Sequence, residues 1–173
     1  LIRYFDEESK YRPFLLVDEA HNLVNRSKDM YSGRVSKISI LSLRKILKEN
    51  NLHFDKEFNL ILKKFDEYQD TLKQQEYLVV PFDEELVGIV YILYLKIDER
   101  LNESKNIQSK TQIIKILLDL VRFYKVAEFY DSDYVFTLER KDGDIIASIN
   151  CLDASKFLLK TIKEKTYGCL FFS

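Results

Sequence analysis

Asp18, Glu19 and His21 are the residues of this chain whose types and spacing suit chemistry, and they stand within four positions of one another. They follow Phe14-Leu15-Leu16-Val17, an apolar run with no polar interruption. Such a run reads as a strand buried on both faces of a parallel sheet. Two carboxylates and an imidazole then lie just past the carboxyl end of a strand, which is where open α/β sheets bind ligands. An Asp there can hold a hydrated Mg²⁺ that bridges phosphates, and the next Glu can orient or deprotonate an attacking water. The plainer alternative is that Asp18 and Glu19 only cap the following helix, since acids suit a helix N-terminus.

A second set of candidates follows the acids directly. Between Leu23 and Lys48 stand Arg26, Lys28, Arg34, Lys37, Arg44, Lys45 and Lys48, against the single acid Asp29. Lysines and arginines in such a set contact phosphates along a nucleic acid. They equally make an ordinary solvated helix face, because only Tyr31 offers a surface on which a base would stack.

The stretch FLLVDEAHN resembles motif II (Walker B) of superfamily 2 helicases. Residues 23–32, LVNRSKDMYS, are similar to the XPD/DinG-like branch, and Tyr167-Gly168-Cys169-Leu170-Phe171-Phe172-Ser173 resembles the strand entering motif III. These motifs cover about the first thirty and the last seven residues; the middle agrees in position and helical character. The resemblance implies that Asp18 is a Mg²⁺ ligand through water and Glu19 the catalytic base for ATP hydrolysis. It also implies that His21 couples the nucleotide site to the DNA side, and that Ser173 begins the coupling motif III. Between the motifs it implies a helical Arch insertion that helps form a passage for single-stranded DNA. The remaining motor domains would lie in the same parent chain. It implies, finally, that Phe14–Val17 lies parallel and adjacent to residues 169–172.

Composition bounds the rest. With 173 residues, 46% hydrophobic and 32% charged, the chain is globular and long enough for a real core. A net charge of −1 argues against a strongly basic nucleic-acid-binding domain. Leu1 is not an initiator and Met30 is the only methionine, so a longer parent is expected. Cys151 and Cys169 read as buried thiols, too few for an iron–sulfur cluster within the chain. His21 and His53 have no zinc-site spacing. No secretory signal or membrane span is evident, so a cytoplasmic protein is expected.

The elements that must position the acids can be taken in order. Ile2, Tyr4 and Phe5 belong to an upstream element, expected to be partly frayed, and Pro13 sets the entry to the strand. Residues 22–31 read as a short helix, and Ser32-Gly33 as a break. Ser36 caps a helix to Glu49, with Ile38, Leu41, Ile46 and Leu47 inward. Residues 54–75 form an amphipathic helix burying Phe54, Phe58, Ile61, Leu62, Phe65, Tyr68 and Leu72, with Asp55, Lys56, Glu57, Lys63 and Lys64 outside. Residues 77–80 read as a connection, after which Pro81 and Asp83-Glu84-Glu85 open the next helix. Residues 86–95 carry no charge and form the most buried helix of a bundle. A fourth helix spans 111–129. Asp142-Gly143 then turns a hairpin, and Asp153 caps a last helix, with Phe157, Leu158 and Ile162 inward, before the final strand.

The expected fold class is mainly α: a helical bundle, the Arch-like insertion, with a β-hairpin and two short strands left over from a RecA-like motor domain. Three regions follow: 1–22 with the acidic motif, 23–133 helical, and 134–173 returning to the motor domain. The chain's four glycines form no phosphate-cradling G-x-x-x-x-G-K-[ST] loop. The chain alone is therefore expected to hydrolyse no ATP and to hold neither ATP nor Mg²⁺, which belong to the parent. The expected function is that of a segment of an ATP-dependent DNA helicase. The alternative is a helical protein–protein interaction module without catalysis; a metal-dependent nuclease using Asp18 and Glu19 has no second motif to support it.

Overall fold

A computed structural model describes residues 12–103 and 108–173. The expectation for Ile2, Tyr4 and Phe5 lies outside the described residues. In chain order the elements are β1 (Phe14–Val17), α1 (Leu23–Met30), β2 (Gly33–Ser36), α2 (Lys37–Glu49), α3 (Asp55–Leu72), β3 (Tyr77–Val80), α4 (Glu84–Glu103), α5 (Lys110–Ala127), β4 (Tyr134–Lys141), β5 (Asp144–Cys151), α6 (Ser155–Lys165) and β6 (Gly168–Phe171). The protein is mainly helical with small sheets. It forms two compact units, one joining the residues up to Tyr31 to Cys151–Ser173, the other spanning Ser32–Asn150.

The first unit is built on β1 and β6, which pair in parallel with Phe14 opposite Gly168 and Val17 opposite Phe171. The two strands are thus neighbours as expected, with β6 starting one residue early. The ladder continues past both ends: Tyr167 N–H donates to Pro13 O at 2.9 Å, and Phe172 N–H to Val17 O at 3.0 Å. Burial on both faces, expected of β1, is not found. Phe14 and Leu16 are 60% and 63% exposed, and among the described residues β1 has a single strand neighbour, β6. Tyr31, after α1, stacks on Phe157 of α6 with ring centroids 4.1 Å apart. Phe157, Leu158 and Ile162 are only half-buried. Asp153 sits one residue too early to be the N-cap; its Oδ1 accepts the N–H of Ser155 at 2.9 Å, and α6 starts there.

The second unit packs α2–α5 with a four-stranded sheet of order β2-β5-β4-β3. The β4–β5 hairpin turns through Asp142 and Gly143, both at positive φ (50° and 79°), the geometry that an Asp-Gly turn supplies. β2 pairs antiparallel with β5 and β3 with β4. Residues 33–36 and 77–80 are therefore strands, where a break and a connection were expected, and the hairpin joins the helical unit's sheet. Gly33 is required in β2: a Cβ there would sit 2.8 Å from Phe123 Cα of α5.

The helices form where periodicity and caps place them. Ser36 Oγ accepts the N–H of Ser39 at 3.1 Å and starts α2. Inward on α2 are Ile40, Leu43, Ile46 and Leu47; Ile38 and Leu41, expected inward, are outside. Its six aliphatic residues span more than one face, and packing selects the 40-43-47 stripe. On α3, Phe58, Ile61, Phe65, Tyr68 and Leu72 are buried, and so is Glu57, expected outside. Leu86, Val90, Leu93 and Ile97 of α4 reach the core, whereas Tyr91, Ile92 and Leu95 on its other face stay exposed. The uncharged run of α4 is thus only half enclosed. Among the described residues no helix is long and apolar enough to cross a membrane.

Candidate functional site

Parallel pairing places the carboxyl ends of β1 and β6 at the same edge. Asp18 and Glu19 leave β1 there, and Ser173 follows Phe172 out of the other strand. The two exits are joined directly, since Ala20 N–H donates to Phe172 O at 3.0 Å. Asp18 Oδ1 accepts the N–H of Glu19 at 2.8 Å, which tightens the exit from the strand. Glu19 itself has φ 53° and ψ 44°, the left-handed region that a residue with a Cβ rarely adopts. A single 3-10 turn, Ala20–Asn22, then leads into α1, with Asn22 N–H donating to Glu19 O at 2.9 Å.

This geometry bears on the capping alternative. Neither Glu19, before the 3-10 turn, nor Asn22, before α1, makes a side-chain capping hydrogen bond. Asp18 reaches only the adjacent N–H. The acids are thus not spent on starting the helix. Glu19 Oε2 instead lies 3.3 Å from His21 Nδ1, and both side chains are about 60% exposed. The structure therefore brings Asp18, Glu19, His21 and Ser173 to one open edge.

The donor set decides what metal chemistry fits. No group of three or more His, Cys, Asp or Glu side chains among the described residues can hold a metal ion. Mg²⁺ usually keeps several waters and takes one or two carboxylates plus substrate phosphates, and Asp18 suits such a shared ion. Of the two cysteines, Cys151 is buried and Cys169 half-buried.

The seven cations do not form one set. Arg26 and Lys28 belong to the first unit, and Arg34, Lys37, Arg44, Lys45 and Lys48 to the second. Three of the latter meet acids of α3: Lys37 with Asp66 at 2.7 Å, and Arg44 and Lys48 with Asp55 at 2.7 and 2.9 Å. Hydrogen bonds from Lys48 and Arg44 lower the Asp55 carboxyl to about 2. Arg34 and Lys45 are exposed.

Sequence reasoning missed a polar cluster in the helical unit. Asp83 Oδ1 accepts Leu86 N–H at 2.9 Å as the cap of α4, while its Oδ2 accepts from Tyr68 Oη at 2.7 Å and from Lys64 Nζ at 3.2 Å. Lys64 also meets Glu85 at 2.5 Å. The signal available was Pro81-x-Asp83 before an apolar run, which marks the cap but not its partners on α3.

No protein-family model matches the chain, and no curated protein matches it significantly.

Proposed function

We propose that this chain is a segment of an ATP-dependent DNA helicase of the XPD/DinG-like kind, acting in the cytoplasm. The observation that carries this reading is the parallel β1–β6 pair, which sets Asp18-Glu19 and Ser173 side by side at one carboxyl edge. Asp18 would hold Mg²⁺ through water, on ATP bound by the rest of the parent, and Glu19 would take the proton of the attacking water. The ion supplies charge neutralisation between the phosphates when bound. His21, now against Glu19, is the natural link from this edge to other motor elements, and Ser173 opens the neighbouring motif. The helical unit is the insertion beside the single-stranded DNA, with its exposed Arg34 and Lys45 as path cations.

The test is ATP turnover, with and without single-stranded DNA, by the protein extended through its reading frame on both sides. Turnover stimulated by DNA, and reduced about 10²–10⁴-fold by Glu19→Gln, is the expected result. An extended protein with no turnover, or turnover indifferent to Glu19→Gln, overturns the reading. The exposed Tyr91, Ile92 and Leu95 of α4 favour a second reading, an interaction module. Salt-independent binding to a protein, with no salt-dependent binding to single-stranded DNA, would select it.

A further inference from the structure

Within the first unit, α6 carries a concentration of positive charge that the net charge of −1 conceals. Its sequence SKFLLKTIKEK holds four lysines against one acid, Glu164. Lys156, Lys160 and Lys163 follow at spacings of four and three, so they share one side of the helix, and all three are exposed. Lys160 and Lys163 meet no carboxylate among the described residues, and Lys156 stands 5.2 Å from the centre of the Phe157 ring. Two residues after α6 the chain enters β6, so the last turn of the helix lies at the amino edge of the β1–β6 pair. There Arg12 Nη1 donates to Lys163 O at 3.5 Å, and Tyr167 N–H donates to Pro13 O at 2.9 Å. Arg12 is exposed, and Tyr167 is 85% exposed. Unpaired cations and an open aromatic ring are thus brought to one place.

We propose that this surface binds single-stranded nucleic acid, with phosphates on Lys160, Lys163 and Arg12 and a base stacked on Tyr167. A cationic track beside an aromatic ring is what binds a single strand, and a duplex has no free base face to offer that ring. A lipid surface would need the apolar side of α6 free. Instead Phe157 is stacked on Tyr31, and Leu158 and Ile162 are half-buried. An acidic partner helix would need an apolar stripe beside the lysines, and Leu159 is the one exposed apolar residue of α6. The surface lies at the opposite end of the strands from Asp18 and Glu19. It stands independently of the helicase reading, because binding, not turnover, tests it.

The experiment is a fluorescence-anisotropy titration of the full chain with labelled oligothymidine at several salt concentrations. Saturable binding that weakens steeply with salt is expected. Lys160→Glu/Lys163→Glu should weaken it at least about tenfold and flatten the slope of log K against log salt by about 1.4, two phosphate contacts' worth. Tyr167→Ala should weaken it at least about fivefold and leave that slope unchanged, and Tyr167→Phe should keep it. Lys110→Glu/Lys115→Glu, an equal charge change at exposed positions of α5, should alter it less than about twofold. The substituted side chains of α6 and the amino edge are exposed, and circular dichroism checks that each variant stays folded. No binding, binding indifferent to salt, or binding that the Lys160, Lys163 and Tyr167 variants leave unchanged overturns the proposal. So does a duplex of equal length that binds as tightly. Phosphatidylserine vesicles or polyglutamate that displace the oligothymidine at equal charge overturn it in favour of a lipid surface or an acidic protein.

Discussion

The N–H of Ala20 donates to the carbonyl of Phe172 at 3.0 Å, so the acidic loop is fastened to the exit of the last strand. That bond and the Asp18–Glu19 contact hold Glu19 at φ 53°. A left-handed residue with a Cβ costs about 1–2 kcal/mol relative to glycine, and such strain clusters at functional sites. Glu19→Gly is therefore expected to stabilise the chain by about 0.5–1 kcal/mol in urea unfolding. On the proposed helicase reading it should also remove turnover from the extended protein. Loss of stability instead would mean that the Glu19 side chain, through His21, contributes more than its backbone costs.

Gly33 and Gly88 make a contrasting pair. A Cβ on Gly33 meets only backbone, Phe123 Cα at 2.8 Å and Arg122 O at 3.1 Å, so β2 and α5 must separate to admit it. Gly33→Ala should cost about 1–3 kcal/mol. A Cβ on Gly88 meets nothing within 4 Å on the surface of α4. Gly88→Ala should stabilise by about 0.5–1 kcal/mol through helix propensity alone. Thermal melts of the two variants beside the parent chain decide both.

Where local chemistry sufficed, the fold was legible. Ser36 starts a helix because its hydroxyl takes an orphan N–H, and Asp142-Gly143 turns a hairpin because both residues tolerate positive φ. β2 and β3 were illegible because four residues carry little pattern; Gly33-Arg34-Val35-Ser36 has one large apolar side chain and becomes a strand only by pairing with β5. The acids of the candidate site were legible from type and position. Their left-handed backbone and the Glu19–His21 contact were not, since both depend on the ladder with β6, more than a hundred residues away in the sequence.

Glu57 was placed on the wrong side of α3 for a related reason. A carboxylate reads as exposed until its partner is known, and that partner is Lys96 of α4 at 2.5 Å. The hydrogen bond from Lys96 lowers the Glu57 carboxyl despite burial, which opposes it. Lys96→Met should leave Glu57 buried and uncompensated. The expected cost is about 1–3 kcal/mol, less than for a fully enclosed pair because Lys96 is half exposed. Adding Glu57→Leu should restore most of it. A double-mutant cycle in urea measures the coupling, and additive losses would show that the pair contributes nothing of its own.

Asp83 makes the folding of the helical unit depend on pH. Burial alone pushes its carboxyl up, but the Leu86 N–H, the Tyr68 hydroxyl and the Lys64 ammonium outweigh this and hold it below the ordinary range. Burial and the bond to Asp83 push the Tyr68 hydroxyl far up, so it stays a donor. For a carboxylate depressed by folding, the unfolded chain binds the proton more readily. The stabilisation is therefore present above the unfolded value, about pH 4, and drains away as pH falls through the lower folded value. Asp83→Asn keeps a good cap for Leu86 but leaves Lys64 with only Glu85 and, at 3.9 Å, Glu67. It should cost about 1–2 kcal/mol at neutral pH. Its deficit should shrink below about pH 4 as the parent chain loses the same charge. Melting temperatures of both proteins across the acid range are the check: converging curves support the assignment, and parallel curves would show that Asp83 acts through its shape rather than its charge.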